Sequence, residues 1–314
     1  MRPFNRCRGE LVLSVKVGRH CFKAILFATA WLGSQALHAA DISWSGATGE
    51  WGDPSKWVGG VVPGAGDHAI VSGGVVSANT DVTVDKLSLT GGEVGGSGRL
   101  EVTELLSWTQ GTMRGDGKLV LGAAAVGEWT GAADKWLNRP MDNLGVVNWS
   151  GGRFLLQQAT FNNLGEMTVS HEADVLGVGG TVAFNNVGTL RKNSTGALRF
   201  PSVAFNQQGV LDFAAGTLVL SGGGENTSSI QVPAGGQLLF SGSYGHPAGS
   251  VLTGPGEVVF QNGTHTLAGT YTVGGPTTVS GGVVNFAADA SLGELRLTGG
   301  EVGGSGRLEV TELL

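Results

Sequence analysis

The sequence predicts an all-β chain, a right-handed parallel β-helix preceded by an N-terminal helical signal peptide. Three observations carry that prediction. Glycine supplies 56 of 314 residues, against a usual share of about 7%. Two short motifs return every 20–23 residues. A 20-residue stretch, Leu87 to Leu106, reappears as Leu295 to Leu314 with one change, Ser88 to Arg296.

The first 40 residues are read as an extended signal peptide. Arg2, Arg6, Arg8, Lys16, Arg19 and Lys23 precede the apolar run from Ala24 to Gly33, and small residues at Ala36, Ala39 and Ala40 offer a cleavage site before Asp41. A basic n-region, a short apolar stretch and a small-residue exit define such a segment. The apolar run is about half the roughly 20 residues a spanning helix needs, so it is expected to be removed, with cleavage at Ala39 and Ala40. A buried N-terminal helix is the alternative.

Composition then excludes several classes. Six of the 19 basic residues and one of the 25 acidic residues precede Asp41, leaving a net charge of −11 for the remainder. Nucleic acid and anionic lipid both require clustered Lys and Arg, so neither is an expected partner. Both cysteines, Cys7 and Cys21, lie in the signal. The exported part therefore has no disulfide, thiol nucleophile or cysteine metal site. With 41% hydrophobic residues the chain is too apolar for disorder.

Residues 41–86 form a Trp-rich segment, in which Trp44, Trp51 and Trp57 lead through Pro63-Gly-Ala-Gly-Asp67 into Ala69-Ile-Val. Its structural reading is a cap over the open first coil of a solenoid. Its functional reading is a sugar platform, because aromatic faces stack on pyranose rings. Exposure and coplanarity of Trp44, Trp51, Trp57 or Trp108 would favour the platform.

Residues 87–314 are read as β-helix repeats ending inside a repeat. One motif is Met141-Asp-Asn-Leu-Gly145, Phe161-Asn-Asn-Leu-Gly165, Phe184-Asn-Asn-Val-Gly188 and Phe205-Asn-Gln-Gln-Gly209. The other is a glycine, a polar residue and an apolar strand, as in Gly216-Thr-Leu-Val-Leu220 and Gly236-Gln-Leu-Leu-Phe240. Periods of this length mark stacked supersecondary units. Strand alternation turns Leu218 and Leu220 inward and Val219 outward, and the recurring phenylalanines are expected to stack as an inner column. The Asn after each Phe is expected either to bend the chain with positive φ or to pair with its counterpart in the next coil. The following Gly is expected to supply positive φ. Antiparallel hairpins in sandwich domains are the alternative.

The segment from Asn5 to Lys16 resembles the extended signal-peptide region of Gram-negative type V secretion exoproteins. Asn5, Arg6, Arg8, Gly9, Val12, Ser14 and Lys16 match in kind, whereas Pro3-Phe4 and Val15 depart from the pattern. The Trp44–Asp67 arrangement is similar to the opening of many large bacterial surface β-helix proteins. Gly111-Thr-Met, the Asn-x-Gly steps and Gly216 to Gly223 resemble repeats of filamentous-haemagglutinin-like and autotransporter passengers. The resemblance implies an exported, outer-surface adhesin that uses an outer-membrane translocation pore, its own or a separate partner's, and meets a host or matrix ligand.

Arg114-Gly115-Asp116 matches the tripeptide that integrin-binding adhesins display, and is also an ordinary turn for this repeat. A pectate-lyase-like enzyme would require clustered carboxylates. Asp116, Asp134, Asp142, Glu166, Glu172, Asp174 and Asp212 show no shared face across successive coils in the sequence. Ser170-His-Glu-Ala-Asp174 is the densest polar stretch, a metal pair through His171 and Asp174 or a solvated turn. No residue stands out as catalytic and no cofactor is implied. The expectation is a non-catalytic adhesive display protein, with a carbohydrate-binding or polysaccharide-degrading β-helix protein as the alternative.

Overall fold

A computed structural model describes residues 40–312. Residues 1–39 of the signal segment, including Ala39 of the expected cleavage site, lie outside the described residues. The chain from Asp41 winds as an all-parallel β-solenoid of about 12 turns. Every strand pair is parallel, and most strands join the strand three places on, so three strands make one turn. No helix among the described residues is long and apolar enough to cross a membrane.

Three faces result. The first carries Val126–Trp129, Val146–Trp149, Glu166–Val169 and Thr189–Lys192 in register. The second carries Lys135–Asn138, Phe154–Leu156, Ala173–Gly177 and Ala197–Phe200. The third carries Met141–Asn143, Thr160–Asn163, Ala183–Asn186 and Ala204–Gln207. Short strands of alternating pattern suffice because each is held on both edges by the turns above and below.

The inner column forms as the repeat predicts. Phe161, Phe184 and Phe205 pair in register and are buried. Their ring centroids lie 4.9 and 5.8 Å apart in successive pairs. Leu218 and Leu220 are buried, while Val219 is only half-buried.

The Asn residues pair rather than bend. Asn185 Nδ2 donates to Asn162 Oδ1 at 2.8 Å, and Asn206 Nδ2 donates to Asn185 Oδ1 at 2.8 Å. A second, buried ladder lies beside the phenylalanines: Asn143 donates to Asn163, Asn163 to Asn186, and Asn186 to Gln207, each at 2.8 Å. Those inner amides also donate to backbone carbonyls of Glu166, Thr189 and Val210. Each therefore closes the corner to the next face, satisfying carbonyls that burial would otherwise leave unpaired.

The corner glycines are a correction to the expected reason for their presence. Gly165, Gly188 and Gly209 do not adopt positive φ. A Cβ on Gly188 would instead sit 2.0 Å from the Gly165 carbonyl oxygen, and one on Gly209 would sit 2.1 Å from that of Val187. Backbone stacks directly on backbone at this corner, and only a hydrogen fits between.

The N-terminal segment joins the same spiral. Asp41–Ser43 pairs with His68–Ile70, and Thr48–Glu50 with Val75–Ser77. The strand Val82–Gly95 runs through the expected boundary at residue 86. The Ala40 carbonyl accepts the His68 N–H at 2.9 Å.

Candidate functional site: a charged hollow beside an outward tryptophan

Alternation decides which groups the second face shows to solvent. In Lys135-Trp-Leu-Asn138 the inward residues are Lys135 and Leu137, both buried. Trp136 therefore points outward. Register then places Trp136 beside Leu155, and Leu155 beside Leu176, in successive turns. Two positions earlier runs a column of alternating charge: Asp134, Arg153, Asp174 and Arg199.

That column is knitted by ion pairs. Arg153 Nε and Nη2 donate to the two Asp134 carboxylate oxygens at 2.9 and 2.6 Å. Arg199 donates to Asp174 at 3.3 Å and also pairs with Glu172. The Arg153 hydrogen bonds hold the Asp134 carboxyl below the usual carboxylate range. The same bonds raise Arg153, and Glu172 likewise raises Arg199. On the far side of Trp136, Asn138 Nδ2 donates to Gln157 Oε1 at 2.9 Å, while Asn138 Oδ1 is buried without a partner. Asp134, Arg153, His171, Glu172, Asp174 and Arg199 line an open hollow of about 490 Å³.

This grouping corrects the expectation that the acidic residues share no face. Asp134, Glu172 and Asp174 meet in one hollow. On the first face Arg191 bridges Glu166 and Asp212 at 2.7 and 2.9 Å, and on the third Lys118 holds Asp142 at 2.8 Å. Successive partners on the second face lie 19, 21 and 25 residues apart, so spacing along the chain hid alignments that the ladders make plain.

His171 faces two backbone carbonyls, Trp149 O at 3.3 Å from Nδ1 and Gly152 O at 3.1 Å from Nε2. With Asp174 on Arg199, the two do not form a shared ligand set. Among the described residues no group of three or more His, Cys, Asp or Glu is placed to hold a metal ion.

The remaining candidate residues sit elsewhere. Trp44, Trp51 and Trp57 are all buried. Their rings meet edge to face at 4.9 and 5.0 Å, with interplanar angles of 77° and 65°. Each indole N–H donates to a backbone carbonyl, of Ala47, Pro63 and Trp51 respectively. Trp108 is buried as well. These rings thus show no coplanar exposed faces for a sugar, because the segment uses them to fill its own interior. Arg114 and Asp116 are exposed. Arg114 is engaged by Glu93 of the preceding turn, and Gly115 has φ +103°.

Sequence reading missed Trp136. Of the seven described tryptophans, six are buried and only Trp136 is not. The available signal was the pair Trp136-Leu137, which cannot both face inward on a strand. Lys135 masked it, since a lysine is expected outside.

The interior holds further titratable groups. Lys135 Nζ donates to Gly151 O at 2.8 Å, and burial pushes it down to about 8. Burial also pushes Lys192 down to about 8, where Nζ donates to the Ser194 and Ala215 carbonyls. Arg139 spans two turns, donating to Gly117 O at 2.6 Å and Gly98 O at 2.9 Å. Comparison with known protein families, curated proteins and solved structures returned no match.

Proposed function

We propose that this chain is the passenger region of an exported, non-catalytic surface adhesin. Such a region is a rigid rod that holds outward residues at a fixed spacing. The single observation that supports the reading best is the uninterrupted parallel solenoid, built without any cysteine after Cys21. Stability accrues turn by turn from stacked ladders and an inner aromatic column, so length can be added without a new core. The resemblance of Asn5–Lys16 to type V signal regions supplies the route, through an outer-membrane pore to the Gram-negative cell surface.

The arrangement of charge supports display over catalysis. A general acid needs a carboxyl whose pKa is raised toward neutrality. Arg153 does the opposite to Asp134, and Glu172 and Asp174 are both occupied by Arg199.

The test has two arms. Expressed with a compatible pore in a Gram-negative host, the chain is expected outside the cell, starting at Asp41, and accessible to added protease. Beads coated with the purified protein are expected to adhere to host cells or extracellular matrix. A cytoplasmic protein that retains Met1, or coated beads that adhere no better than bare ones, defeats the proposal.

A further inference from the structure

We propose that the outward surface around Trp136 is a subsite for a neutral pyranose oligosaccharide. Trp136 is the one described tryptophan that is not buried, being half-buried, and it makes no ring–ring contact, whereas the six buried ones all pack against other aromatic rings. Leaving a large amphipathic ring on a strand face forgoes part of its burial, and such rings are the residues most used as binding anchors.

Its neighbours fit a polyhydroxylated ligand. On one side stands the bidentate Asp134–Arg153 pair, on the other the Asn138–Gln157 amide pair. Both pairs are planar arrays of donors and acceptors of the kind that adjacent ring hydroxyls satisfy two at a time. Leu155, in register with Trp136 on the next turn, is itself buried, so the apolar platform for a ring's C–H face is Trp136.

Charge selects the neutral class. Asp134 and Arg153 neutralise each other, and Arg199 offsets part of the Glu172 and Asp174 charge. With three carboxylates against two guanidinium groups the hollow keeps one net negative charge, which disfavours an anionic ligand, while its carboxylates and guanidinium groups still accept from and donate to hydroxyls. Strand spacing of about 4.8 Å between turns also approximates the length of one sugar unit, so successive units of a chain lying along the axis fall on successive turns.

The inference deepens the adhesive reading by naming a ligand class, and rests on that reading for its biological setting alone. Iodide quenching of tryptophan emission from the full chain reads the site directly. Cellohexaose or chitohexaose is expected to shield the iodide-accessible emission saturably, and Trp136→Phe to abolish that accessible component. Affinity measured by calorimetry should fall at least about tenfold in Trp136→Ala and severalfold in the Asn138→Ala/Gln157→Ala double variant. Trp136→Phe, which keeps an aromatic ring, should retain part of it even where Trp136→Ala fails to fold. Failure of both neutral oligomers to bind, undiminished binding by Trp136→Ala, or tighter binding of hexagalacturonate overturns the subsite. Because binding is measured on purified protein, that failure leaves surface location and bead adhesion to be judged separately.

Discussion

Leu87 to Leu106 and the described residues 295–312 of its near-identical copy occupy different faces of the spiral. Leu87 continues the first face, pairing with Ala69 and Leu106. Leu295 lies on the second face, paired with Thr277. Glu93 stands on the second face beside Thr112, whereas its counterpart Glu301 stands on the third beside Val283. The offset of 208 residues is thus not a whole number of turns. What the segment specifies is a strand, a corner and a strand, and any face accepts that unit.

The backbone bears this out. Gly92 and Gly300 have φ +72° and +73°, and Gly96 and Gly304 have +109° and +119°. A Cβ on Gly96 would sit 2.2 Å from Ala78 O, and one on Gly304 2.1 Å from Phe286 O. The copies differ in what covers them. Leu89 is fully buried beneath Trp108, while Leu297 is 56% exposed because no described strand stacks on its outer edge.

The largest predicted effect follows from that asymmetry. Leu89→Ala is expected to cost about 2–5 kcal/mol, the range for an apolar side chain removed from a packed core. Leu297→Ala, already wet, is expected to cost under about 0.5 kcal/mol. Urea denaturation of the two variants checks this, and equal losses would break the comparison.

Next in size, the glycines should behave alike where the leucines do not. Gly98 and Gly306 each rest on a carbonyl in the turn below, with a Cβ placed 2.1 Å from Thr80 O and 2.0 Å from Ala288 O. Alanine at either position is expected to cost about 1–3 kcal/mol through backbone displacement. Gly98→Ala should lower global stability, and Gly306→Ala should show as loss of amide-exchange protection confined to the last turn.

The fold was legible because its signals are local and repeated. The Phe161, Phe184 and Phe205 period, the alternation of Leu218 and Leu220 and the corner glycines each describe one turn. The reason for Gly188 was not legible, since close approach of two backbones belongs to the stacking and not to the local conformation. The same limit hid the hollow. Asp134, Arg153, Asp174 and Arg199 come together only through inter-turn register, and coils of unequal length erase that register from simple spacing. Trp136 was obscured by Lys135, a cation the interior accepts because carbonyls at the corner receive its protons.

The stretch between the copies holds the buried titratable groups, and pH should separate it from them. His246 is buried with both ring nitrogens unpartnered, and burial, reinforced by neighbouring His265, pushes it down to about 3. Burial lowers His265 too. A folded-state pKa below the ordinary 6.5 means that the unfolded chain binds more protons between those values, so stability falls as pH drops from about 6.5 toward 3. Lys135 and Lys192, lowered from 10.5 to about 8, make stability rise as pH climbs through that window. Burial raises Tyr244 and Tyr271 above their ordinary 10.0, which reverses the trend above about pH 10. Thermal melts should show an acid limb that His246→Phe flattens by a few degrees, and an alkaline gain that Lys192→Met reduces.

The smallest effect concerns the one position at which the copies disagree. Ser88 Oγ lies 2.8 Å from His68 Nε2, whose Nδ1 contacts Asp41, so this serine ties the first described strand to the third turn. Arg296 reaches only along its own strand to Glu294, in an exposed pair. Arg296→Ser restores identity between the segments and should change stability by less than about 0.5 kcal/mol, the usual limit for a surface ion pair. Ser88→Arg puts a long cation where a hydroxyl meets a half-buried imidazole, and should be the costlier of the reciprocal exchanges. Equal, negligible shifts in both urea midpoints would mean that the first copy tolerates the divergence as freely as the second, and that His68 gains nothing from Ser88.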